Sequence, residues 1–266
     1  MTTPLIVEHR DGVCVLTLNR PETRNPISDG DMIDALEEAV AMVNADYSVR
    51  ALILTGTGSA FSSGGNVRHM QNREGMFGGT PAQVRDGYRN GIQRIPRALY
   101  HCEVPTIAAV NGPAIGAGCD LALMCDMRIA SENARFAESF VKVGIIPGDG
   151  GAWLLPRAVG MSRACEMAFT GDTIDAATAL EWGMVSQVVA HEQLMDSAMA
   201  LARRITVNPP AVLRMTKKLL REGSHSRLET LLELSAAMQA LAHHTQDHHE
   251  AVNAMLDRRA PQFTGN

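Results

Sequence analysis

The sequence predicts an α/β fold that ends in a helical C-terminal region. Three observations carry this. Short apolar, β-prone runs alternate with segments of helical spacing up to Val189. From His191 onward the spacing is almost wholly helical. Two glycine-rich segments, Phe61 to Asn66 and Asn111 to Asp120, each follow an apolar run and lead into a helical pattern.

Taken in order, Val13 to Leu18 reads as a strand, and Asn19 to Pro26, with two prolines, as a loop. Ser28-x-x-Asp31 has the form of a capping box, and Met32, Ile33, Leu36, Ala39, Val40 and Val43 then repeat at helical spacing. Ala51 to Thr55 suits a buried strand. The stretch from Asn72 to Asn90 holds glycines, charges and few large apolar residues, and is expected to be a loose lid. A strand from Thr106 to Val110 precedes a glycine turn and a helix from Gly118 to Met124, and Met127 to Ala130 is a short strand. Ile145 to Gly151 is a turn. A helix from Asp175 to Trp182 stops at Gly183 before a strand from Val185 to Val189. Pro209-Pro210 divides the helical tail, in which Ala211 to Leu220 and Leu228 to Leu241 are amphipathic. A boundary falls near residue 200.

At 266 residues and a net charge of −5 (24 basic, 29 acidic residues), the chain fits one large domain with an appendage and has no nucleic-acid footprint. The five scattered cysteines form no CxxC, so a disulfide frame or zinc site is not expected. Cys119 reads as a small buried residue rather than a nucleophile. Met1 to Pro4 lacks the form of a secretory leader and no apolar run approaches ~18 residues, which points to a cytoplasmic protein without a membrane span. The histidines in His243 to His249 lack a supporting carboxylate pattern and read as a solvated helix end, with no metal site. His69 either lines a pocket or caps local structure.

The two glycine turns define the chemistry. A strand-to-helix junction aims free N–H groups outward with a favourable dipole, and glycine lets them approach a ligand closely. One donor from each turn would grip a carbonyl oxygen as it becomes an oxyanion. A nucleotide-binding dehydrogenase would also place glycines after strands, but Gly112, Gly116 and Gly118 do not make G-x-G-x-x-G.

The segments Leu18 to Pro21, Arg24-Asn25, Phe61 to Gly65, Asn111 to Leu123, Val143 to Pro147, Leu155 to Arg157 and Glu181 to Val185, in this order, resemble the crotonase (enoyl-CoA hydratase/isomerase) superfamily. That resemblance implies a spiral of ββα units over residues 1–200 and a helical trimerisation region over 201–266. It implies acyl-coenzyme A thioesters as substrates, with no cofactor beyond the coenzyme A they carry, and a homotrimer or dimer of trimers. The oxyanion donors would be the amides of Gly65 and Ala117. Coenzyme A would lie along Arg24, Pro26, Ser63 and Asn66, with Arg24 on a phosphate, and Phe140 would shape the acyl pocket. Lys217 resembles a lysine placed near the coenzyme A of a neighbouring subunit.

By the same resemblance, Asp120 stands where hydratases carry a catalytic glutamate. Twenty residues on, Phe140 stands where the second glutamate would be. Glu138, two residues earlier, would point away on a helix and is assigned a structural role. Asp149 is taken as the second acid, although relatives place an aspartate at the preceding position, here Gly148. The expected activity is enoyl-CoA isomerisation or hydration by Asp120 with a second carboxylate. The alternative is a protein of this fold without turnover that binds coenzyme A thioesters or a macromolecule.

Overall fold

A computed structural model describes residues 3–266. The N-terminal hairpin pairs β1 (Leu5–Arg10) with β2 (Val13–Leu18), antiparallel. After it, each coil of the chain lays one strand in a wide sheet and a short extended piece in a narrow one, then adds a helix. β2 is followed by Pro26 and α1 (Gly30–Ala45). β3 (Ala51–Gly56) is followed by Ser62 to Gly64 and α2 (Val67–Asn72), and then by α3 (Pro81–Asn90) and α4 (Arg94–Tyr100). The next coil is β4 (Thr106–Val110), β5 (Pro113–Ile115) and α5 (Ala117–Met124). The fourth is β6 (Met127–Ser131), β7 (Arg135–Ala137), a 3-10 turn (Ser139–Val143) and α6 (Gly151–Val159). α7 (Met161–Thr170), β8 (Thr173–Asp175), α8 (Ala176–Glu181) and β9 (Gln187–Val189) complete the spiral.

The wide sheet has the order β1-β2-β3-β4-β6-β9 and the narrow one β5-β7-β8. Bridges between Ser62 and Ala114 and between Pro26 and Gly64 continue the narrow layer backwards through the coils. Strand alternation sorts the wide sheet's residues onto two buried faces. Cys14, Leu16, Leu52, Leu54, Ala108 and Val110 join the core shared with α1, α4 and α5. Val13, Val15, Ala51, Ile53, Ile107 and Ala109 pack under α9 (Leu194–Thr206) through Leu194, Ala198 and Ala202. The boundary expected near residue 200 therefore falls inside a helix seated on the sheet. α10 (Pro210–Gly223), α11 (Leu228–His243) and α12 (Gln246–Asp257) follow it.

Two local expectations are corrected. The Ser28-x-x-Asp31 capping box does not form. α1 begins after Asp29, and the Ser28 hydroxyl instead accepts the Asn66 N–H at 2.8 Å. The stretch from 72 to 90 is more regular than expected. Thr80 and Gln83 form a reciprocal cap on α3, with Pro81 in its first turn.

Lys217 is also reassigned. It is 6% exposed, with Nζ 2.7 Å from Asp126 and donating to the Val104 carbonyl at 2.6 Å. Arg221 makes the second ion pair to Asp126, at 2.8 Å. The lysine fixes α10 to the core rather than reaching a coenzyme. Lys217→Met is expected to lower stability by about 1–2 kcal/mol, because it leaves the Val104 carbonyl without its buried donor while Asp126 keeps Arg221, and to leave the KM for any thioester unchanged. Chemical denaturation and steady-state kinetics check the two parts.

Candidate active site

The site lies where the narrow-layer segments end and their helices begin. Asn25, in the left-handed region at φ 56°, is its knot. Its side chain accepts the Arg20 N–H at 2.8 Å and donates to the Thr57 and Ala60 carbonyls, both at 2.9 Å. Its carbonyl accepts the Ser62 hydroxyl at 2.7 Å. Ser62 in turn joins the two glycine turns: its N–H donates to Pro113 O and its carbonyl accepts the Ile115 N–H.

Gly64 makes this junction close. Its φ is +79°, and a Cβ there would sit 2.3 Å from the Ile115 carbonyl oxygen and 2.9 Å from the Ala117 nitrogen. No other residue fits that approach. Among the described residues, the amides of Gly65 and Ala117 donate to no protein acceptor. Ala117 opens α5, so its N–H is one of the helix's free donors. The turns expected to supply an oxyanion pocket are thus cross-linked, with both expected donors free.

Asp120 lies one turn into α5 and is wholly buried. Its Oδ2 accepts the Gly151 N–H at 3.0 Å. Its Oδ1 has no hydrogen-bond partner, and neither has either carboxyl oxygen of Glu138. A Cβ on Gly151 would fall 2.1 Å from Glu138 Oε1 and 2.3 Å from Asp120 Oδ1, so the two carboxyl groups converge on one point. Glu138 is only 1% exposed. The assignment of Glu138 as a residue pointing away from the acids is therefore corrected. That inference assumed residue 138 lies within a helix, whereas it stands between the end of β7 and the 3-10 turn, with φ −92° and ψ 62°. The angle that separates positions two apart on a helix therefore does not apply between 138 and 140.

Asp149 joins the same cluster from the loop before α6. It is 3% exposed, and its Oδ1 also lacks a partner. No lysine, arginine or histidine pairs with any of the three acids among the described residues. Burial first, then the charges of Glu138 and Asp149, hold the Asp120 carboxyl well above the usual range. Burial pushes Glu138 up to about 7 and Asp149 up to about 6. Tyr88, from α3, packs against Gly148, and burial together with the Asp149 charge raises its phenol. Gln93 donates to the Gly148 carbonyl at 2.9 Å, so the α3–α4 segment closes over the acid loop.

The remaining expected residues are placed as follows. Arg24 is exposed, in the left-handed region, with its carbonyl bound by the Ser63 N–H and its guanidinium without a partner among the described residues. Pro26 is buried beside Gly64. The Ser63 hydroxyl donates to the Thr23 carbonyl. The Asn66 side chain is spent on the fold, accepting the Arg68 and His69 N–H groups to cap α2 and reaching Asp29. Phe140 is buried, with its ring about 3.8 Å from the point where a Cβ of Gly116 would lie. His69 sits between Asp29 and Glu74. Cys119 is wholly buried, and burial drives its thiol upward, away from nucleophilic use. His243 Nδ1 and His248 Nε2 lie 3.0 Å apart, and no group of three or more His, Cys, Asp or Glu among the described residues has metal-site geometry. A cavity of about 660 Å³ lined by Tyr100, Trp153, Arg157 and Arg221 lies by the other end of α5, away from the glycine turns. No helix among the described residues is long and apolar enough to cross a membrane.

Comparison with known proteins places the chain in a family. The family described as Enoyl-CoA hydratase/isomerase matches residues 8–266. The sequence is 39% identical to 1,2-epoxyphenylacetyl-CoA isomerase of Escherichia coli (strain K12), over 96% of this chain and 95% of that protein. It is 35% identical to crotonyl-CoA hydratase of Syntrophomonas wolfei, over 97% of each. The crystal structure of enoyl-CoA hydratase from Bacillus anthracis superposes with a TM-score of 0.92 at 31% identity, covering 99% of this chain and 100% of that one. The chain belongs to the enoyl-CoA hydratase/isomerase family of enzymes, and its ββα spiral is the crotonase fold.

Proposed function

We propose that this enzyme moves protons on an acyl-coenzyme A thioester whose carbonyl oxygen is held by the Gly65 and Ala117 amides. Its primary reaction is double-bond isomerisation. Base removal of the proton on Cα leaves its electron pair delocalised onto the thioester oxygen, where two aligned N–H groups stabilise it. One such donor is typically worth about 3 kcal/mol. The proton returns at Cγ, and the pair reforms the carbonyl and a conjugated double bond. Asp120 and Asp149 are the acid and base, both raised above the usual carboxylate range by burial, Asp149 to about 6. The observation that carries this reading is a buried carboxyl cluster, free of cations, behind two unpartnered amides. Arg24, Pro26 and Ser63 form the edge along which coenzyme A lies, with Arg24 on a phosphate and Phe140 at the acyl group.

Hydration is the second reading, favoured by Glu138 standing beside Asp120, since adding water needs an acid and a base together. Incubation with a 3-enoyl-CoA and with crotonyl-CoA, following the conjugated thioester absorbance, separates the two. The expected result is a fast rise with the first and a slower fall with the second. Tight thioester binding without either change would return the protein to the non-catalytic alternative. The exposed Leu228, Leu232, Leu241, Met255 and Leu256 on α11 and α12 support assembly of three copies, or of six, through this region. A monomeric mass by light scattering would reject that assembly.

A further inference from the structure

We propose that Glu138 is a positioning residue that shares one proton with Asp120 and so sets the pH range in which Asp120 can act as a base. The inference rests on the enzymatic reading above only for its kinetic consequence.

Three observations lead to it. The two carboxyl groups meet at the point a Gly151 Cβ would occupy, so glycine at 151 is what lets them approach. Asp120 Oδ1 and both Glu138 oxygens are buried without a donor. The donor the protein does supply, the Gly151 N–H, goes to the other Asp120 oxygen. Two ionised carboxylates in such a place would repel at short range and leave three acceptors unsatisfied. One proton between them lessens both costs: it halves the charge and joins two of the three oxygens, one carrying it and one accepting it. The pair then titrates as a unit rather than as two residues.

The surroundings offer no other relief. Asp149 faces the pair from the loop before α6 and adds repulsion. Cys119 lies beside Asp120 on α5 with its thiol protonated. Tyr88 reaches only the Asp149 side, from α3. α4 presents Ile95 and Leu99 to the core against which α5 packs. Arg128, from β6, donates to the Met184 and Cys125 carbonyls.

The test is Glu138→Gln, which keeps shape and replaces the shared proton by a fixed amide donor. The acid limb of the kcat–pH profile is expected to move down by about one pH unit, because Asp120 then ionises beside a neutral group, while KM changes by less than about twofold. A structural role alone would not move that limb. The second readout needs no activity. Both carboxyls sit above their unfolded values, so their protonated forms favour the fold and stability falls as pH rises from about 5 to 8. The wild-type melting temperature should decline over that range, and the E138Q curve should be flatter. An unshifted limb and an unchanged slope in folded E138Q would overturn the proposal. Should E138Q not fold, the wild type decides alone: a melting temperature flat from pH 5 to 8 overturns the pair. If no thioester is turned over, the enzymatic reading fails while the slope still tests the shared proton.

Discussion

Asp120→Asn is expected to lower kcat by about 10²- to 10⁴-fold and at the same time to raise the melting temperature. The first effect follows from removing the group that the proposed reaction uses as its proton acceptor. The second follows from the same environment. Asp120 is wholly buried against Glu138, with Asp149 also repelling it, and only the Gly151 N–H stabilises its charge. An asparagine keeps an oxygen for that N–H and offers an NH₂ group to the unpartnered Glu138 oxygens. A gain of about 1–2 kcal/mol is a reasonable scale for relieving an active-site conflict, and in a chain of this size that amounts to a few degrees. The gain should be largest above pH 7, where the wild-type acids are forced to ionise, and should shrink toward pH 5. Calorimetry at pH 5 and pH 8 with matched kinetics checks both. A variant that loses activity and stability together would mean that Asp120 serves the fold.

Gly64→Ala acts on the other half of the site. The residue must leave the left-handed region or carry the strain there, about 1–2 kcal/mol, and its methyl would overlap the Ile115 carbonyl and the Ala117 nitrogen. Overpacking of this kind costs about 1–3 kcal/mol. The junction can yield only by moving the two glycine turns apart. That would misalign the Gly65 and Ala117 donors and lower kcat/KM by about 10²- to 10³-fold. Gly75→Ala is the control, since Gly75 has φ +58° with open space around it. It bears the same backbone cost without the collision and should leave kcat intact. If both variants lose only stability, the turns do not hold the reacting oxygen.

The long-period features of the fold were legible in the chain. The buried face of α1 consists of the residues whose spacing defined it, Met32, Ile33, Leu36, Ala39, Val40 and Val43. β2, β3 and β4 are continuous apolar runs because both faces of the wide sheet are covered. The narrow layer was not legible. β5, β7 and β8 are three residues each, too short to show alternation, and their partners come from other coils of the spiral. α3 was missed because its signal is the Thr80-Pro81-x-Gln83 cap rather than an apolar stripe. At the site, the glycine turns and Asp120 followed from motif and position. Glu138 did not, because its direction depends on where β7 ends and the 3-10 turn begins, and nothing local in Glu-Ser-Phe decides that. A usable signal was Phe136 and Glu138 at a spacing of two, both of them buried.

The most direct measurement is the infrared difference spectrum of a carbonyl-¹³C-labelled acyl-CoA on binding to the Asp120→Asn variant, which holds substrate without consuming it. The account predicts a thioester C=O band displaced well below its position in water and narrowed, and a return toward the water value when Gly64→Ala is added. A bound carbonyl band at its solution frequency, unchanged by Gly64→Ala, would contradict it.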